Sequence, residues 1–217
     1  MIVDWFCVQR CRHCFTAFDW TEKRPYTLCQ VCASTVEVSA QIDIVQDNDT
    51  VLPVGFAVPY DNPVVSRVVR RLKFDGDAIC AIDLAFWAEG ACESLLQDMG
   101  AIPHVVPVPL HWTRLWQRGY NQSHKIAEAL CDNIGLPLSP HILRRARRTK
   151  PHAKLDKETR AQNIVGAFHA KRAPRNAPSI LLVDDVLTTG ATLLACTKSL
   201  HAAGYQTVTA LTVARTP

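Results

Sequence analysis

Apolar residues recur along this chain at two spacings, and the alternation between them predicts most of its elements. Between residues 63 and 74, Val64, Val65, Val68, Val69 and Leu72 fall on one face of a 3.6-residue repeat while Arg67, Arg70 and Arg71 fall on the other. Asn62 can cap that helix, Pro63 suits its first turn and Gly76 ends it. A second apolar helix is predicted over 79–99 with Gly100 past its end, a buried strand over 102–109, and a further helix over 122–133 closed by Gly135. Residues 40–60 read as short extended pieces, and a short helix is predicted over 157–165. Residues 180–183 are uninterrupted apolar, as in a strand buried on both faces; a helix ending at Gly204 and a last strand over 207–214 follow. Strands alternating with helices predict an α/β fold, a mainly parallel sheet flanked by helices on both faces.

With 217 residues, 48% of them hydrophobic, the chain can build one core-bearing domain and a small appendage, here placed at 41–217 and 1–40. No uncharged apolar run approaches the ~18 residues of a membrane span, and the start lacks a basic region followed by a hydrophobic segment, so the expected location is the cytoplasm.

The appendage is argued from cysteines. Five of the nine lie in the first 32 residues, which include Cys11-Arg12-His13-Cys14, then fourteen residues, then Cys29-Gln30-Val31-Cys32. Each Cys-x-x-Cys lets two sulfurs reach one ion from a tight turn, and two such turns make a tetrahedral thiolate site that can fold a segment too small for its own core. Zinc is the expected structural ion on Cys11, Cys14, Cys29 and Cys32, with Cys7 or His13 as possible substitutes. Neither pair is followed by glycine, the residue that most easily turns backbone amides toward sulfur. The scattered Cys80, Cys92, Cys131 and Cys196 are expected to be small core residues.

Charge adds a second local feature. The formal net charge is +4, yet residues 141–175 hold eleven Lys/Arg against Asp156 and Glu158, which makes that window +9 and the remainder −5. Within it, Arg144, Arg145, Arg147, Arg148 and Lys150 show no apolar period and read as a solvated loop. An anionic partner, a polyphosphate or a nucleic acid, is implied.

The most specific chemistry follows the 180–183 run. Asp184 and Asp185 arrive at the carboxyl end of a parallel strand, where ligands of open α/β sheets bind. Val186 and Leu187 lead into Thr188-Thr189-Gly190-Ala191-Thr192 at the turn into a helix, whose first amides lack internal partners and whose dipole favours an anion. A phosphate suits that turn: Gly190 allows close backbone approach and threonine hydroxyls add donors. Two carboxylates beside a phosphate would repel it, so they must face hydroxyls of the same ligand or a bridging Mg²⁺. A ribose 5-phosphate meets both demands.

This stretch, LLVDDVLTTGATL, is closely similar to the signature of type I phosphoribosyltransferases. Upstream, Pro107-Val108-Pro109-Leu110, Arg114 and Arg118-Gly119-Tyr120-Asn121-Gln122-Ser123 resemble the block PVPL…R…RG[FY]NQ of the ComF family, which also includes GntX-type proteins. Leu72-Lys73-Phe74 with Gly76, and Arg160, Asn163 and Gly166-Ala167-Phe168, resemble two further elements of that family. With the cysteine pairs, the resemblance covers nearly the whole chain. One position departs from it: where relatives carry R-x-T-x-x-Q, this chain has His152 in place of the glutamine.

The resemblance implies a type I phosphoribosyltransferase-like fold that binds 5-phosphoribosyl 1-pyrophosphate with Mg²⁺. By the same resemblance, the turn holding Pro109 and Leu110 would take the pyrophosphate, with Lys73, Arg114 and Arg118 supplying cations. Asp184 and Asp185 would hold the ribose. It also implies an association with natural transformation and DNA uptake, and with other competence proteins as partners. A reading from another class is a non-catalytic accessory that binds single-stranded DNA through Arg144, Arg145, Arg147, Arg148 and Lys150. Trp112, Trp116 and Tyr120 interleave with Arg114 and Arg118 in a pattern able to stack bases, although core packing is the plainer expectation for the two tryptophans. No motif specifies the acceptor.

Overall fold

The computed structural model describes residues 9–18, 27–146 and 166–217. Cys7, the helix predicted over 157–165, Arg147, Arg148, Lys150 and His152 lie outside them. In chain order the elements are β1 (Gln9–Arg10), β2 (Ala17–Phe18), α1 (Gln30–Ala33), β3 (Gln41–Gln46), β4 (Val51–Phe56), β5 (Val58–Pro59), α2 (Pro63–Phe74), α3 (Cys80–Met99), β6 (His104–Pro107), α4 (Trp112–Arg118), α5 (Gln122–Ile134), β7 (Leu143–Arg145), β8 (Phe168–Ala170), β9 (Ile180–Leu187), α6 (Ala191–Ala202) and β10 (Val208–Arg215).

Period-two alternation builds the two cores. Along β9, Leu181 and Val183 point into one layer with α2, α3 and α5, while Ile180 and Leu182 point into the other with α6 and the β7–β8 hairpin. Val105 and Val106 divide the same way on β6. The central sheet runs β3-β4-β10-β9-β6, with β5 also beside β10. All its pairings are parallel except the antiparallel β3–β4 edge. The chain is thus a mixed α/β fold with a mostly parallel sheet flanked by helices. Among the described residues, no helix is long and apolar enough to cross a membrane.

Local chemistry sets the helix ends. Asn62 Oδ1 accepts from Val64 N and Val65 N at 2.9 and 3.3 Å, and the five predicted apolar residues of α2 are all buried. Asn121 Oδ1 accepts from Ser123 N at 3.1 Å to cap α5. Cys80, Cys92, Cys131 and Cys196 are buried as expected.

Three stretches differ from the sequence expectation. The strand predicted over 180–183 continues through Leu187, because β10 stays paired with it as far as Arg215↔Leu187. On its other side β6 ends at Pro107↔Val183. Asp184 and Asp185 therefore stand where β9 has lost one neighbour, and a crevice opens there. Second, Arg144 and Arg145 belong to β7, paired antiparallel with β8, and not to a loop; Leu143 and Phe168 anchor that hairpin in the core. Third, residues 112–118 form a short helix with no buried residue, capped by His111 Nδ1 accepting from Thr113 N.

Candidate functional site

The crevice beside Asp184 is a pocket of about 430 Å³. Its walls come from segments scattered along the chain. Asp184, Asp185 and Val186 rise from β9, while Thr188, Thr189 and Thr192 come from the turn into α6. Lys73 and Phe74 end α2, Arg114 and Arg118 share one face of α4, and Val108, Pro109 and Leu110 follow β6. Gln122 and Ser123 begin α5. Tyr60, Arg145 and Thr216 complete the lining.

The two acids are held differently. Asp184 Oδ1 accepts from Ser123 Oγ at 2.7 Å and from Asp185 N at 3.0 Å. Burial, reinforced by the charge of Asp185, pushes the Asp184 carboxyl up to about 7, with the Ser123 hydrogen bond and Lys73 opposing. Asp185 is 4% exposed, and its Oδ1 meets Lys73 Nζ at 2.8 Å. Burial pulls the Lys73 ammonium down, but Asp185 more than compensates and leaves it raised. Asp185 Oδ2 is buried with no hydrogen-bond partner among the described residues. A charged oxygen in that state costs several times a made hydrogen bond, which marks it as a position awaiting a donor or a cation.

Lys73, Arg114, Arg118 and Arg145 give four cations against two carboxylates. Burial lowers Arg118 and Arg145, and the charge of Arg114 lowers both further. Such crowding is favourable only around an anion. The helix α6 opens at Gly190, whose φ is +72°. A Cβ at Gly190 would lie 2.2 Å from Val45 Cγ1. The β3 edge thus occupies the side toward which a Cβ would point, and Gly190 itself is not part of the pocket lining. Leu187 and Ala191 also stay off the pocket wall, Leu187 being buried in the core layer beneath α6.

The structure thus gathers Asp184, Asp185, Val186, Thr188, Thr189, Thr192, Lys73, Pro109, Leu110, Arg114 and Arg118 into one pocket. Arg144 is exposed on β7, apart from Arg145, which turns into the pocket. Tyr60, Phe74 and Thr216 were assigned no role from sequence; Phe74 lies within the Leu72-Lys73-Phe74 element, while Tyr60 and Thr216 belong to no recognised motif. Trp112 and Trp116, expected in the core, are 67% and 86% exposed. They lie opposite Arg114 and Arg118 on a helix too short to pack both faces.

A second cluster stands at the other end of the chain. The Sγ atoms of Cys11, Cys14, Cys29 and Cys32 all lie within 4.8 Å of one another. Four sulfurs about 2.3 Å from one zinc would be roughly 3.8 Å apart, and Cys14 Sγ to Cys29 Sγ is 3.7 Å. An all-sulfur donor set of this size fits structural zinc. His13 stands outside the four, its Nδ1 3.4 Å from Cys32 Sγ. Thr16 hydrogen bonds bring the Cys14 thiol down to about 6, while burial pushes Cys29 and Cys32 up. The turn lacks glycine because Phe15 itself takes the left-handed conformation, φ +63°, with its ring under the Arg67 and Arg71 guanidinium groups at 5.4 and 5.5 Å.

No protein-family model matches the chain. Over 163 residues it is 34% identical to Competence protein F of Haemophilus influenzae, which covers 70% of this chain and 68% of that one. It is 30% identical to DNA utilization protein YhgH of Salmonella typhi over 163 residues, 71% of this chain and 68% of the relative. Competence protein ComFC of Bacillus subtilis is 33% identical over 134 residues, 61% of this chain and 51% of the relative.

Proposed function

The chain belongs to the ComF family, and from that premise we propose that its pocket binds 5-phosphoribosyl 1-pyrophosphate with Mg²⁺, as a type I phosphoribosyltransferase-like site serving a competence-associated protein. The observation that carries this reading is Asp185 Oδ2, a buried carboxylate oxygen without a donor inside a pocket otherwise rich in positive charge. A simple polyanion would not need it. A sugar bearing phosphates at one end and hydroxyls in the middle uses both features at once.

In this reading the turn at Thr188, Thr189 and Thr192 receives the 5-phosphate through hydroxyls and the first amides of α6. Asp184 and Asp185 accept from the ribose hydroxyls, and Ser123 keeps Asp184 oriented. Pro109, Leu110, Arg114 and Arg118 surround the pyrophosphate, with Arg145 adding charge from β7. In transfer, the C1–O bond breaks with its electron pair leaving on pyrophosphate, a C1–N bond forms from the acceptor's lone pair, and the acceptor's proton passes to solvent. The arginines stabilise the departing charge, and the carboxylates offset the positive charge growing on the sugar. Asp185 Oδ2 is the position that fits Mg²⁺, whose contribution when bound is to neutralise the phosphate oxygens.

Calorimetric titration of the donor with and without Mg²⁺ tests this. Binding should require the metal and weaken about 10- to 100-fold in Asp185→Asn, the scale of a hydrogen bond to a charged group. Equal affinity in the variant would refute the ribose contact. Single-stranded DNA binding is the second reading, favoured by the +9 window over 141–175 and by a relative named for DNA utilization. An oligonucleotide arm of the same titration addresses it, since phosphate-driven binding falls steeply with salt.

A further inference from the structure

Consecutive side chains between α4 and α5 reach different walls of the pocket. Gly119, φ +78°, closes α4 and Asn121 caps α5, so Tyr120 alone separates the two caps. Tyr120 Oη donates to Leu72 O at 2.5 Å, one of the last carbonyls of α2, which have no partner inside the helix. The next residue of α2 is Lys73, whose Nζ meets Asp185 Oδ1. Asn121 Nδ2 donates to Val108 O at 3.0 Å, just before Pro109 and Leu110. Gln122 Oε1 accepts from Arg118 Nη1 at 3.0 Å, and Ser123 Oγ donates to Asp184 Oδ1 at 2.7 Å.

Asn121 differs from its neighbours because its one amide makes two contacts of opposite kind. While Nδ2 holds Val108 O, Oδ1 accepts from Ser123 N at 3.1 Å. The partners are a carbonyl and an N–H, so a planar amide with its donor and acceptor side by side fits in one orientation only. Val108 N in turn donates to Val183 O at 2.9 Å. The contacts therefore form a closed circuit, from Val183 through Val108, Asn121 and Ser123 back to Asp184, the residue after Val183.

We propose that Asn121 is a positioning residue of this site, whose amide fixes the separation between the Val108-Pro109-Leu110 turn and Asp184. The proposal rests on the pentose-phosphate reading of the same pocket, in which the turn faces pyrophosphate and Asp184 accepts from the ribose. The bond that breaks lies between those two parts of the donor, so holding both at a set distance is what the transfer requires of the protein. Asn121 does this without touching the ligand: it is not among the residues lining the pocket. Its two contacts also serve different walls, the donor end the turn and the acceptor end Ser123, and can be removed one at a time.

The experiment measures the Kd of pyrophosphate with Mg²⁺ and of ribose 5-phosphate in the full chain, in Asn121→Ser and in Asn121→Ala, with Tm recorded for each. Serine keeps an acceptor for Ser123 N, being among the preferred residues at a helix N-cap, but is too short to hold Val108 O as well. In Asn121→Ser pyrophosphate should weaken roughly 3- to 10-fold, the scale of one neutral hydrogen bond, while ribose 5-phosphate stays within about twofold. In Asn121→Ala, which also loses the cap, both ligands should weaken and Tm should fall. A purely structural role would shift both ligands together with Tm, or neither. Either pattern in Asn121→Ser overturns the positioning role and leaves the pentose-phosphate site standing, and that variant decides even where Asn121→Ala does not fold. Failure of both ligands to bind the unaltered protein overturns that site and this proposal together.

Discussion

Asp184 keeps its proton to a pH where most carboxyls have lost theirs, and this has a sign that can be measured. In the unfolded chain it ionises at the ordinary carboxyl value of 3.8, and in the folded protein burial and the neighbouring Asp185 charge push it up to about 7. Between those values the folded state binds the extra proton, so the contribution of this group to stability falls as pH rises from about 4 to about 7 and is level on either side. Asp184→Asn keeps an acceptor for Ser123 and abolishes the titration. Without ligand or added Mg²⁺, urea unfolding should show the variant gaining on the unaltered protein by about 2–4 kcal/mol across that window. Parallel curves from pH 4 to pH 8 would show that the carboxyl is solvated. The identity of the acids and of the threonines after them was legible in the sequence, because a strand end followed by a helix start is a local arrangement. The difference between the acids was not. It depends on Ser123, 61 positions away, and on Lys73 from another helix.

At the scale of elements, the join between β9 and α6 is the most constrained point. Gly190 is needed for its positive φ and because β3 brings Val45 against it. Gly190→Ala adds a left-handed backbone cost to an overpacked contact, together about 2–5 kcal/mol. In a chain of this size that lowers Tm by about 2–4 °C for each kcal/mol. Adding Val45→Ala should recover the overpacking part and leave the backbone part. If the double variant is no more stable than Gly190→Ala alone, Val45 is not the obstacle. Helices α2, α3 and α5 were readable from periodicity and caps, since both are properties of neighbouring residues. The strand β7 was not, because Arg144 and Arg145 acquire their conformation from β8, more than twenty positions along.

For the whole molecule, the cysteine segment is tied to the helices that supply the pocket. Cys11, Leu28, Cys29 and Cys32 pack in the same core layer as α2 and α3. Arg12 pairs with Asp77 at 2.7 Å, as does Arg71 at 3.1 Å. Buried Asp83 accepts from Thr27 N at 2.8 Å and also from the Thr27 hydroxyl. Stripping metal with a strong chelator should therefore lower Tm for the whole chain as one calorimetric transition, rather than melt the first 40 residues alone. Two transitions, the larger unmoved, would show independent units. By itself the sequence determined the main helices and the central buried strands, that four cysteines can meet on one ion, and that a threonine-rich turn joins the β9 acids to a helix start. Each of these needs only residues close along the chain or a repeated spacing. Only the tertiary structure decided that β6 stops short of Asp184, that Lys73 takes one oxygen of Asp185 and leaves the other bare, and that Phe74 and Arg145 face the same opening. Those facts follow from crossovers that bring distant segments together, and such proximity is a consequence of packing rather than of local preference.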